Sequence, residues 1–306
     1  MLLLGGAFLA AASVDNSLLS LVPAGAKIIA SVDVTRARNS EFGQYLLAKT
    51  QNEDANFQEM IDQTGFDPRR DLQTIVFATD GPGTSGKPSL FAILARGNFD
   101  TGRITALATS KGANVVTYHN VNMIVEGRKK NGEQTAVGFP DAGVAVMADL
   151  STLKGIIDNL AAPAVLDADL TSKINTLGGS NDAWYVSLVG GSFLAGHMGN
   201  DAGAQSKALQ GVLASSGGVK LGSTIATTFD AVTRSPKDAT SLSDVIRFMA
   251  SMVQMQRQKD AQANILASAL DGMTLESSGS AVHFAVSLPE ASLEQLAEAG
   301  LHKSDH

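Results

Sequence analysis

Residues 134–159, QTAVGFPDAGVAVMADLSTLKGIIDN, decide the fold class. Residues 134–139 and 144–148 are two short, largely apolar segments on either side of residues 140–143. They read as two partnered strands. From 151 the spacing is helical. Leu153, Ile156, Ile157 and Leu160 fall three and four apart, on one face of a helix over 151–159. A strand–strand–helix unit of this kind belongs to the α+β class, not to alternating βα architectures. The C-terminus repeats the unit: strands at 273–277 and 281–288, then a helix over 290–299.

Working outward, the chain before 134 predicts one helical turn at 18–22, a strand at 27–34 and a helix capped by Asn39 or Ser40 that turns Phe42, Tyr45, Leu46 and Leu47 inward. A helix over 56–64 ends at Gly65. Asp67-Pro68 is an N-cap followed by proline at the first helical position, where its missing N–H costs nothing. Strands follow at 74–79 and 89–96, a helix at 101–110, and strands at 115–118 and 122–126. After 160 the same order loosely returns: a helix at 170–177, a loop at 178–181, a strand at 183–189, a helix at 204–215, strands within 219–231, and a long helix over 244–258 opened by Ser243. The fold expected is α+β, with two similar lobes, each a mostly antiparallel sheet backed by helices, related by an internal duplication. The lobes are 14–162 and 163–300, joined through the Pro163 linker within 161–168, with a disordered tail at 301–306.

Residues 1–13, MLLLGGAFLAAAS, form an apolar run ending in small residues and then the polar Val14-Asp15-Asn16-Ser17. That is the pattern of a secretory signal, and it is shorter than the about 20 apolar residues that cross a bilayer. No Lys or Arg precedes Lys27, so the basic front of such a signal is expected upstream of Met1. The reading is an exported protein, periplasmic or secreted, with no stable membrane span in the mature chain.

Composition narrows the functions. Hydrophobic residues at 44% and charged residues at 17% describe an ordered globular chain. A net charge of −7 disfavours nucleic acid and anionic lipid. Trp184 is the only tryptophan, so stacking platforms for sugars or bases are scarce. With no cysteine there is no disulfide, thiol nucleophile, cysteine-based zinc site or lipidated anchor.

The motifs with chemical content are few. Gly81-Pro82-Gly83-Thr84-Ser85-Gly86-Lys87 fits a phosphate-loop pattern, but Pro88 stands where the magnesium-binding hydroxyl belongs, and the following residues read as a strand where a helix is required. It is a glycine-rich strand connection. Gly190-Gly191-Ser192-Phe193-Leu194-Ala195-Gly196-His197 sets a serine and a histidine after a strand, and Ser192 and His197 are the candidate catalytic pair. Leu194 occupies the last glycine position of a nucleophile elbow. The five histidines lack metal-ligand spacing, so no metal and no cofactor are expected. His283 reads as a structural histidine in a strand. Asp167 and Asp169 read as helix caps, and Arg69-Arg70 as partners of Asp67 and Asp71. Arg128-Lys129-Lys130 precedes Asn131-Gly132 and reads as a hairpin tip. Met249, Met252 and Met255, with Phe248 and Val253, form an apolar stripe. Such a stripe is ordinarily core, and when exposed it serves as an adaptable partner surface.

Four pieces, LVPAGAKIIASVDVTRARNSEFGQYL (21–46), GFDPRRDL (65–72), ILARGNFD (93–100) and LDGMTLESSGSAVHFAVSLPEASLEQL (270–296), resemble uncharacterised bacterial exported families of two-lobed α+β proteins. The resemblance implies export and a repeated lobe, and it supplies no activity or catalytic residues. The functional expectation is a non-enzymatic binding or scaffold protein of the cell envelope. Its partner is an unidentified envelope protein, held in the inter-lobe groove or at Met249, Met252 and Met255. The alternative is a hydrolase using Ser192 and His197.

Overall fold

The computed structural model describes residues 14–49, 55–81, 90–127, 134–162, 165–191 and 203–304. Its frame is one open antiparallel sheet of twelve strands. In the first part of the chain these are β1 (Ile28–Asp33), β2 (Leu72–Thr79), β3 (Phe91–Gly97), β4 (Asn114–Tyr118), β5 (Val121–Val125), β6 (Thr135–Asp141) and β7 (Val144–Asp149). The second part adds β8 (Ala183–Ser187), β9 (Val212–Lys220), β10 (Thr224–Thr233), β11 (Thr274–Ser278) and β12 (Ala281–Pro289). Across the sheet the order is β11-β12-β10-β9-β8-β1-β2-β3-β7-β6-β5-β4. The hairpin read from residues 134–148 is β6–β7, with Ala136 opposite Ala148.

Twelve helices accompany the sheet in the described residues: α1 (Asn16–Leu19), α2 (Val34–Asn39), α3 (Glu41–Lys49), α4 (Ala55–Thr64), α5 (Pro68–Asp71), α6 (Thr101–Ser110), α7 (Leu150–Asp158), α8 (Ala168–Ser180), α9 (Gly203–Gln210), α10 (Pro236–Met255), α11 (Ala261–Asp271) and α12 (Glu290–Ser304). Local chemistry starts many of them. Asp67 caps α5 ahead of Pro68, and Asp167 accepts from Asp169 N and Leu170 N at the start of α8. Asp15 caps α1 through Leu18 N, and its carboxylate also takes Arg96 Nε at 2.9 Å from β3.

The register across the sheet separates two cores. Ile29, Val76, Leu94, Val146 and Val186 form one buried layer with Leu18 of α1, Leu153 and Ile156 of α7, and Leu170 and Ile174 of α8. Their neighbours in the strands point the other way. Ala30 pairs with Tyr185, Tyr185 with Gly217, and Gly217 with Phe229, so Ala231, two residues on, lies on the opposite face from Ile29. There Ala231, Val212 and Val282 pack under Ala239 and Leu242 of α10. The two cores therefore lie on opposite faces of the sheet, the larger one taking α8 of the second half as well as α1 and α7.

The halves meet at β1–β8, in the middle of one sheet, with no break in hydrogen bonding between them. Arg36 of α2 ties this seam: Nε to Asp33 at 2.7 Å, Nη1 to Asp182 at 3.1 Å, and Nη2 to the Asn181 carbonyl at 2.7 Å.

Several local expectations are corrected. Gly178-Gly179-Ser180 is the last turn of α8, not a loop, because Gly178 lets the helix approach Val14 and Trp184. Residues 212–215 belong to β9, where residues 204–215 read as one helix. The long helix opens at Ser235-Pro236, eight residues before Ser243. Ser235 Oγ accepts from Asp238 N, and Ser243 is buried inside the helix. Helices α2 and α11 are additional. α3 buries no residue completely, and Leu46 is exposed. α12 continues to Ser304 and takes in most of the tail expected to be disordered.

Candidate interaction face on the long helix

Helix α10 carries two apolar faces. Ala239 and Leu242 are buried against the sheet, with Ile246 packed beside them, and Ala250 is buried farther along the helix. The other face carries Val245, Phe248, Met252 and Met255, at successive spacings of three, four and three residues. Phe248 is 55% exposed, Met249 46%, Met252 41% and Met255 78%. The three methionines singled out from the sequence are therefore on the surface, where a stripe of that spacing is ordinarily core. Ala239, Leu242 and Ile246 take the side that packs on Val212, Ala231 and Val282, which leaves Phe248, Met252 and Met255 facing away.

Around this face the structure is firmly held. Ser235 Oγ donates to Asp238 at 2.9 Å and caps the N-terminus. At the C-terminus Arg257 Nη2 lies 2.6 Å from both carboxylate oxygens of Asp271, and Gln254 Nε2 donates to Asp271 at 3.2 Å. The Arg257 guanidinium holds the Asp271 carboxyl below its ordinary value, against a smaller opposing effect of burial. α10 and α11 are thereby clamped as a hairpin. Beside the upper half of α10 a groove of about 770 Å³ opens against α9, lined by Lys207, Gln210, Arg234, Asp238, Asp244 and Phe248. Phe248 ends the groove and begins the exposed stripe. Lys207 and Arg234 escape a sequence reading because α9 and the β10–α10 junction meet only in the fold.

The remaining sites separate. Ser192 and His197 lie outside the described residues, as do Pro82–Lys87 of the glycine-rich motif and the basic run 128–130. Gly81 adopts φ +88° with Val189 against it, and the element that follows the motif is the strand β3. His283 Nδ1 sits 2.8 Å from Asp230, its register partner on β10. His119, at φ +45° in the β4–β5 turn, faces Asp158 at 3.4 Å. Arg69 pairs with Asp67 and Arg70 with Asp71. Among the described residues no three His, Asp or Glu side chains are arranged to hold a metal ion, and no helix is long and apolar enough to cross a membrane.

No family model, curated protein or solved structure matches this chain.

Proposed function

We propose that the protein is an exported, non-enzymatic binding or scaffold protein of the bacterial cell envelope, and that it takes an amphipathic helix of a partner protein along α10. The observation that carries this is the row of Phe248, Met252 and Met255, all exposed, continued toward the N-terminus by the half-buried Val245. Alternating three- and four-residue spacing is the seam that a second helix fills by knobs-into-holes packing. A large aromatic side chain among unbranched methionines gives an anchor in adaptable surroundings, the composition of helix-binding surfaces. Export is supported by the apolar run 1–13 and its small-residue end.

Internal duplication is the reading we favour for the fold's origin. Each half runs three strands in a meander (β1-β2-β3 and β8-β9-β10), crosses through helix, and returns its last strand, β7 or β12, beside the third. A helix precedes each meander, α1 or α8, and another follows each last strand, α7 or α12.

The test is affinity capture from an envelope fraction, with wild type beside a Phe248→Asp/Met252→Asp pair and a Thr240→Asp control elsewhere on α10. The expected result is a partner that binds wild type and the control, is weakened at least about tenfold by the pair, and crosslinks to position 252 through a helical segment. A partner held equally by all three proteins removes α10 from the interaction.

A further inference from the structure

A second groove, of about 360 Å³, lies where β1, α2 and α3 meet the turn after β9. Val32, Phe42, Leu46, Leu47 and Leu221 supply its surface, and Val32 and Leu46 are 39% and 37% exposed. The volume is at the lower end of small-molecule sites, roughly 300–1,000 Å³. Among the described residues two cations, Arg38 and Arg69, are the only charged side chains that line it.

The two arginines differ. Arg69 is bidentate to Asp67. Arg38 uses Nη1 alone, donating to the carbonyls of Arg69 at 2.8 Å, Arg70 at 3.0 Å and Leu72 at 3.4 Å. Those bonds fix the guanidinium without neutralising it. The nearby carboxylates are taken, Asp67 by Arg69 and Asp71 by Arg70. Asp71 also feels the field of Arg38, but among the described residues no carboxylate is in ion-pair contact with Arg38, so three arginines share two aspartates and one positive charge is left over at the rim of an apolar trough.

We infer that this groove binds a single-chain amphiphile with an anionic head, of the fatty-acid type, with its acyl chain over Val32, Phe42, Leu46 and Leu221 and its carboxylate on Arg38. Charge selects the head group, since a carboxylate meets a fixed, unpaired guanidinium. The lining selects the tail. Apart from the arginines, the side chains there offer no hydrogen-bonding group, so a peptide backbone would give up its water partners and gain none, whereas an alkyl chain has none to lose.

The test is displacement of a fluorescent polyene fatty acid from the purified full chain by decanoate, decanol or decyltrimethylammonium, all below micelle-forming concentrations. Decanoate is expected to displace best, about tenfold better than decanol, with the cation weakest. Leu46→Asp, on an exposed helix face, is expected to abolish binding of all three with an unchanged melting temperature. Arg38→Gln keeps a donor for the carbonyls, and it is expected to erase the preference of decanoate over decanol. Failure of decanoate to displace the probe, equal displacement by the three head groups, or wild-type binding by Leu46→Asp would each overturn the inference. A hydrophobic peptide that displaces the probe better than decanoate would overturn it as well. If Arg38→Gln does not fold, the head-group series on wild type and Leu46→Asp still decide.

Discussion

Glu290 is the first residue of α12 and is 7% exposed, with Oε1 lacking any hydrogen-bond partner. Its backbone N–H donates to Ser223, which holds the residue in place. The charges that bear on its carboxyl are Glu294 on the next turn and Glu41 of α3. Burial, then the hydrogen bond to Glu294, then repulsion by both glutamates raise its pKa above the ordinary 4.5. A carboxyl raised in the folded state binds its proton more tightly there than in the unfolded chain. Its stabilising effect is therefore complete at acid pH and is lost as pH climbs from about 4.5 through the folded value. Glu290→Gln is expected to melt higher than wild type near neutral pH, and the gap should close toward pH 4. Thermal melts across that range check it, and a constant gap would refute the assignment. Asp15 has the opposite sign. Burial works to raise it, but hydrogen bonds from Arg96, Ser17 and Leu18 outweigh that and hold it below its ordinary value, so its contribution is lost as pH falls.

Gly218 in β9 shows a close fit at the same scale. A Cβ there would lie 2.3 Å from the Asn181 side chain, which is nearly buried and donates to Leu177 O at the end of α8. Gly218→Ala is expected to cost about 1–3 kcal/mol in chemical denaturation, the usual range for overpacking. These residue-level facts were partly legible in sequence. Asp67, Asp167 and the Arg69-Arg70 pairs act over one to three positions, and the chain alone specified them. Glu290 was not legible, because its neighbours Glu41 and Ser223 are brought to it by tertiary packing.

At the scale of elements, α10 is the instructive case. The sequence reading opens it at Ser243, although Ser235-Pro236 with Asp238 three residues on is itself a capping signal. A start at Ser243 leaves out Ala239 and Leu242, the residues that face the sheet. Periodicity then showed an apolar stripe at Met249, Met252 and Met255 without saying which side was core. Ser243 supplies a check on the observed orientation. It is 1% exposed, and its hydroxyl has no partner. Ser243→Ala removes an unsatisfied group and improves helix propensity, so a gain of about 0.5–1 kcal/mol is expected in urea unfolding. A loss would mean that the hydroxyl is satisfied and the orientation is wrong. α11 is not legible in the sequence, since Ala261–Asp271 is rich in alanine and carries only weak periodicity.

For the whole molecule, the continuous sheet is what matters. β1 and β8 pair along their length, and Arg36 joins Asp33 to Asp182 and Asn181 across the same seam. Residues 14–162 and 165–304 are therefore expected to unfold in one cooperative transition by calorimetry. Arg36→Met should lower stability by about 1–2 kcal/mol, since the ion pair is partly solvated on the arginine side. Two resolved transitions in wild type would show that the seam does not couple the halves. The sheet ends on β11 and β4, two of its shorter strands, and β11 carries Glu276 among serines, which discourages edge-to-edge pairing.

By itself the sequence determined the element types over most of the chain, the antiparallel hairpins, the helix caps and the absence of cysteine chemistry. Those rest on hydrophobic period and on hydrogen bonds between residues a few positions apart. Only the tertiary structure decided that the halves share one sheet, that the two cores lie on opposite faces of it, and that the methionine stripe faces outward. Strand order and the choice between two apolar helix faces depend on which distant surfaces fit, and that information is spread over residues more than a hundred positions apart, as Arg36 and Asp182 are. The proposed sites follow the same division: Phe248, Met252 and Met255 stand out in the sequence, and their exposure is visible only once Ala239, Leu242 and Ile246 are seen to take the sheet side.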